Sequence, residues 1–199
     1  MRRLMIFIHG KGGNIKEIEH YKPIFKDYDV IGFDYQSNYP WEAEIEFSNF
    51  FDTYSNNYDY IIIVANSIGA YFSLCSLYNK KIDKVFFISP IVNMEKLINN
   101  MMIQANVSTD ELFNKKEIKT NFGETLSWKY LCYAKEQKIE WNIQTFILYG
   151  ENDNLTSIDT IRDFQKQINA SLTIMKGGDH WFHTEEQMEF LDNWIKSFL

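Results

Sequence analysis

Ile61-Ile62-Ile63-Val64-Ala65-Asn66-Ser67-Ile68-Gly69-Ala70 is the stretch on which the reading of this chain turns. Its first five residues are apolar and mostly β-branched, the composition of a strand buried on both faces. From Ile68 the spacing changes to that of a helix, with Ile68, Phe72 and Cys75 on one side. A serine stands at the changeover. A strand that turns directly into a helix must hold that serine in a strained backbone conformation, and the helix packs close to the strand only if the residues around it are small. Ala65, Gly69 and Ala70 meet that demand. The simpler alternative is that Ser67 only caps the helix.

Working outward, short apolar runs recur at Leu4-Ile8, Val30-Phe33, Val85-Ile88, Phe146-Tyr149 and Leu172-Met175. Each is ended by a turn-forming residue, as expected of buried strands. Helical spacing lies between them: Ile15 with Ile18; Ile45, Asn49 and Phe50; Ile158, Ile161 and Ile168; and Met188, Leu191, Ile195 and Phe198. Asn14 with Glu17 and Thr184 with Gln187 have the spacing of reciprocal helix caps, and Pro23 closes the first helix. Alternation of strand and helix requires crossover connections. It predicts an α/β fold, a doubly wound, mostly parallel sheet of about six strands in the order 2-1-3-4-5-6, with Val30-Phe33 at one edge. Functional groups should gather at the carboxyl ends of those strands. Residues 91-142 break the alternation. They show helical patterns such as Met94, Leu97, Ile98 and Met101, then Leu126, Tyr130 and Ala134, and no convincing strand. We expect one domain over 1-199, with 91-142 a small helical cap insertion over a pocket. The acids and bases of that segment balance seven against seven, with Met and aromatic residues between them.

Three further motifs sit where strands end. Phe7-Ile8-His9-Gly10-Lys11-Gly12-Gly13 is a glycine-rich exit that frees backbone N–H groups. It matches neither phosphate-loop pattern. Tyr149-Gly150-Glu151-Asn152-Asp153 and Lys176-Gly177-Gly178-Asp179-His180 place an acid and then a histidine after later strands. Taken singly, Asp153 reads as a turn residue and His180 as a hydrogen-bonded loop histidine. Taken together, they follow Ser67 in the chain order Ser, Asp, His. Glu151 and Asp179 are the competing acids.

On these four motifs the chain resembles the α/β-hydrolase superfamily over nearly its whole length. His9-Gly10 is similar to the family's oxyanion loop and Asn66-Ser67-Ile68-Gly69 to its nucleophile elbow. Gly150-x-x-Asp153 is similar to its acid loop and Gly177-x-x-His180 to its histidine loop. Ala65 departs from the commonest motif, which has glycine there, and the family's two N-terminal antiparallel strands are lacking. The resemblance implies a serine hydrolase that cleaves a small, largely apolar carboxylic ester through an acyl-enzyme on Ser67. His180 would be the general base and Asp153 its orienting acid, and the N–H groups of Lys11 and Ile68 would form the oxyanion hole. Gly10, Asn66, Met94, Trp128 and Trp181 are expected to contact the substrate. A thioesterase, a peptidase or a carbon-carbon hydrolase would use the same triad, and a non-catalytic ligand-binding protein could keep the fold.

Composition narrows the partners. The formal charge is −7 with no basic run, which argues against nucleic acid. The longest apolar run, Tyr60 to Ala65, is far short of the roughly 20 residues needed to cross a bilayer. Arg2 and Arg3 precede an apolar run that His9 and Gly10 cut too short for a signal-peptide core, so the start reads as mature protein. Cys75 and Cys132 are too far apart for a C-x-x-C pair, and a cytoplasmic setting suits them. A small-molecule ester substrate is the expected partner, with no membrane, no cofactor and no metal. His180 and His183 alone make a poor metal site. Homodimer formation is compatible with this reading. His183 is expected to start a helix, and His20 to be an exposed helix residue.

Overall fold

The computed structural model describes residues 1–199. In chain order the elements are β1 (Arg3–Ile8), a 3-10 turn (Ile15–Glu17), α1 (Ile18–Tyr21), β2 (Asp29–Phe33), α2 (Pro40–Ser55), β3 (Tyr60–Asn66), α3 (Ile68–Ser76) and β4 (Lys84–Ile88). Then follow α4 (Met94–Ala105), α5 (Thr109–Lys115), β5 (Glu117–Lys119), β6 (Thr125–Ser127), α6 (Trp128–Glu136), β7 (Thr145–Gly150), α7 (Ile158–Gln167), β8 (Ser171–Met175) and α8 (Glu185–Phe198). Six strands form one parallel sheet in the order β2-β1-β3-β4-β7-β8. The register pairs Ile8 with Ala65, Asn66 with Ile88, Ile88 with Leu148, and Gly150 with Met175. The carboxyl ends of β1, β3, β4, β7 and β8 are thereby brought to one edge of the sheet.

Alternation along each strand fills both faces. On one face Met5, Phe7, Ile62, Val64, Phe86, Ile88 and Leu148 join Tyr21 of α1 and Leu191, Trp194 and Ile195 of α8 in a buried cluster. Phe7 packs on Tyr21 with ring centroids 4.9 Å apart, and Phe86 meets Trp194 edge to face at 5.4 Å. On the other, α2 and α3 pack together through Phe47 and Phe72, with Phe47 also against Phe33. Both sequence-marked caps form as reciprocal pairs, Asn14 with Glu17 and Thr184 with Gln187.

Several expectations need correction. Only the four inner strands are buried along both faces: β8 exposes Ser171 and Ile174, and β2 exposes Asp29, because an edge strand has a neighbour on one side only. In α2 the buried residues are Pro40, Ala43, Phe47 and Phe51; of the expected Ile45, Asn49 and Phe50, only Phe50 is half-buried, stacked on Phe33 at 3.9 Å, while Ile45 is 67% exposed. The face follows the aromatic residues Phe47, Phe50 and Phe51, and Ile45 is left outside it. His20 is half-buried instead of exposed, with Nε2 2.7 Å from Asp192 Oδ1 on α8.

The chain divides into two compact units, Met1–Val92 with Glu140–Leu199, and Asn93–Ile139. The second falls within the 91-142 segment, but it is not all helical. Strands β5 and β6 pair antiparallel, Ile118 facing Leu126, so Leu126 belongs to a strand and not to the helix on which its spacing with Tyr130 and Ala134 placed it. Three-residue strands are too short to show a period of two. Within this unit Met94, Ile98 and Met102 of α4, Leu112, Leu126 and Leu131 are buried. Trp128 packs edge to face on Phe113 at 5.2 Å.

Candidate active site

β3 delivers Ser67 to the sheet's carboxyl edge in a conformation only a close-packed turn tolerates, with φ 49° and ψ −115°. Three backbone hydrogen bonds lock it: Ser67 N–H donates to Ile88 O at 3.0 Å, and Ser67 O accepts from Ala70 at 3.2 Å and Ile91 at 3.1 Å. The serine side chain makes no capping bond to α3, so the hydroxyl is not spent on the helix. The reason for small neighbours is visible in the packing. A Cβ on Gly69 would lie 2.5 Å from His9 O, and one on Gly10 would lie 3.3 Å from Ser67 Cβ. β1's exit loop therefore runs directly past the serine.

His180 reaches the same point from the loop after β8. Its Nε2 lies 2.9 Å from Ser67 Oγ and its Nδ1 2.7 Å from Asp153 Oδ2. The Asp153 side chain is fully buried, and its Oδ1 already accepts from the N–H groups of Leu155 at 2.8 Å and Thr156 at 3.0 Å. A carboxylate only accepts, so the proton sits on His180 Nδ1, and Nε2 accepts from the serine hydroxyl. The neighbouring acids are occupied elsewhere. Glu151 Oε2 accepts from Gly177 N–H at 2.9 Å, and Asp179 Oδ2 accepts from Gln187 Nε2 at 2.9 Å.

Gly150 makes the approach of these loops possible, since a Cβ there would overlap Asp179 O and lie 2.5 Å from Gly178 O. Asn152 N–H donates to Gly178 O at 2.8 Å, tying the acid loop to the histidine loop. Around the serine, Ile68 opens α3, where a backbone N–H has no intrahelical acceptor. Lys11 follows Gly10 in a turn closed by Gly13 N–H to Gly10 O at 3.1 Å. That loop is fixed from behind. Tyr35 donates to His9 O at 3.0 Å, stacks on the His9 ring at 4.5 Å, and the ring's Nδ1–H donates to Gly10 O at 2.8 Å. Burial, and then the charges of Glu46 and Glu17, push the Tyr35 phenol above its usual range.

Asn66 is half-buried beside the serine, and its Oδ1 is enclosed without a hydrogen-bond partner. Trp181 is 72% exposed and stacked on His183 at 4.6 Å. Met94 and Trp128 belong to the second unit. His183 lies just before α8, its N–H donating to Gln187 Oε1 at 3.1 Å. Sequence reasoning missed Tyr35 and the second role of Gln187. The cap spacing flagged Gln187, but its bond to Asp179 could not be read from spacing.

No protein-family model matches the chain, and no curated protein matches it in sequence. Its structure is similar to those of several solved proteins. Alpha/beta hydrolase domain-containing protein 10 from mouse superposes with a TM-score of 0.76 at 15% identity, covering 98% of this chain and 88% of that one. Est1E from Butyrivibrio proteoclasticus also gives 0.76, at 17% identity over 99% of this chain and 86% of its own. An esterase from Pyrococcus furiosus gives 0.64 at 17% identity, covering 100% and 81%.

Proposed function

We propose, from the α/β-hydrolase fold that this chain adopts, that the protein is a serine hydrolase acting on small, largely apolar carboxylic esters. One observation carries the reading: the unbroken hydrogen-bonded line from Ser67 Oγ through His180 to Asp153, at 2.9 and 2.7 Å. The esterases among its structural neighbours support the choice of bond.

Ser67 Oγ attacks the ester carbonyl carbon while His180 Nε2 takes its proton. Buried Asp153 holds the imidazole in the required tautomer and stabilises it once charged. Charge develops on the carbonyl oxygen, where the N–H groups of Ile68 and Lys11 would each contribute about 100-fold or more to the rate. Collapse of the tetrahedral intermediate breaks the bond to the alcohol, which leaves with the proton from His180. Water then attacks the acyl-Ser67 ester, giving a proton to His180 and releasing the acid as Ser67 regains its hydrogen. Only water enters besides the ester, so protons and acyl group balance.

Gly10 and Asn66 beside the serine and Trp181 beside His180 are proposed to set substrate preference. Labelling with a fluorophosphonate, followed by a panel of acyl esters, thioesters and amides, tests the reading. Covalent modification at Ser67 and preferential ester turnover are expected. Absence of labelling in folded protein would favour a ligand-binding protein. Preference for another acyl bond would keep the triad and move the substrate class.

A further inference from the structure

We propose that Gln187 is a positioning residue that holds His180 in line, an inference that rests on the hydrolase reading above. Gln187 is the third residue of α8 and only 5% exposed. Its Oε1 completes the helix cap by accepting from the N–H groups of Thr184 at 3.5 Å and His183 at 3.1 Å. Capping asks nothing of the amide's other end. That end donates through Nε2 to Asp179 Oδ2 at 2.9 Å. One buried carboxamide thus grips the chain on both sides of His180, at residue 179 and again at 183. On its other flank the same loop abuts Gly150, whose hydrogen faces Asp179 O where no larger group fits. His180 is suspended between two fixed points, the end of β7 and the start of α8.

The residue type follows from this double duty. A helix's first turn favours negative charge, so glutamate would cap α8 at least as well as glutamine. A glutamate in this position, however, would place a second carboxylate against Asp179 within hydrogen-bonding distance, and like charges there repel. Glutamine is the side chain that both accepts for the cap and donates to Asp179.

The test reverses the hydrogen bond. Gln187→Glu is expected to lower kcat roughly 10- to 100-fold with KM within about twofold, the signature of a misplaced general base and not of lost substrate binding. Asp179→Asn alone should stay within about threefold, because the asparagine carbonyl still accepts from Gln187. Combining Asp179→Asn with Gln187→Glu lets the introduced amide donate to the introduced carboxylate, and is expected to restore kcat to within about threefold of the parent. The low-field NMR resonance of the His180 Nδ1 proton shared with Asp153 should vanish in Gln187→Glu and return in the double variant. A kcat for Gln187→Glu within twofold of the parent, or a double variant no better than Gln187→Glu, overturns the proposal. If the parent protein neither labels nor turns over esters, the hydrolase reading falls, while the His180 resonance across the same variants still decides whether Gln187 places the ring.

Discussion

Ser67 shows how far a single residue's setting is dictated by its neighbours. A positive φ at a side chain with a Cβ is costly, on the order of 1–3 kcal/mol, and it persists here because β4 and the chain after it bind the serine's backbone on both sides. Its hydroxyl, released from capping, is left to His180. Ser67→Ala is expected to cut turnover on the order of 10⁴-fold or more and to abolish fluorophosphonate labelling. Asp153→Asn should cost on the order of 10³- to 10⁴-fold, since the amide disturbs the tautomer of His180. Glu151→Gln should stay within about threefold, because Glu151 bonds a backbone N–H and not the imidazole. Steady-state kinetics on the best ester decides between the two acids: a large loss in Glu151→Gln with a small one in Asp153→Asn would move the orienting role.

Elements bring these residues together through contacts between loops, and glycine decides how closely. Gly150 ends β7 at the point where the histidine loop crosses it. Gly150→Ala forces a methyl group into the carbonyls of Gly178 and Asp179, so the histidine loop must move by about an ångström or more. An expected loss of about 100-fold in kcat with the fold retained by circular dichroism would show that the loop, not the sheet, yields. Packing of α2 offers a cleaner energetic contrast. Phe47 touches Phe33, Tyr35 and Phe72, and Phe47→Ala should cost about 3–5 kcal/mol by urea unfolding. Ile45→Ala, on the same helix but exposed, should stay within about 0.5 kcal/mol. Equal costs at the two positions would mean that α2 is turned the other way.

At the scale of the whole molecule, buried phenols tie stability to alkaline pH. Burial first, then the charge of Glu17, pushes the Tyr21 hydroxyl above the usual phenol range despite its bond to Asn66, and Tyr35 is pushed the same way. The folded state therefore keeps protons that the unfolded chain releases above about pH 10. Stability is intact below that value and falls as pH rises through it. Lys84, whose ammonium is lowered by burial, acts oppositely, since there the unfolded chain holds the extra proton and stability gains with pH. Tyr28, Tyr58, Tyr60 and Tyr149 are raised as well, so six raised phenols against one lowered amine give a net decline. Urea midpoints measured between about pH 8 and 11 should fall, and Tyr21→Phe should flatten the fall; a midpoint that held or rose would mean these phenols are not buried in solution.

The inner strands, the chain order of Ser67, Asp153 and His180, and both reciprocal caps were readable in the sequence, because each strand, turn and cap carries its pattern within a few consecutive residues. Alternation of short apolar runs with helical spacing leaves a parallel sheet as the only arrangement that buries all of them, and loops after such strands share one edge. What lies between distant segments was not readable. Which face of α2 turns inward depended on where Phe33 and Phe72 stand, the β5–β6 pairing was too short to carry a period, and His20 found Asp192 from the far end of the chain. The motif after β7 favours Asp153 over Asp179 as the partner of His180, and the structure supplies the physical reason for that choice. Asp179 is the histidine's neighbour in sequence, but the packed loops give it to Gln187 and leave Asp153, 27 positions away, facing the imidazole. Hydrogen-bond geometry between segments is fixed by tertiary packing, and no local pattern encodes it.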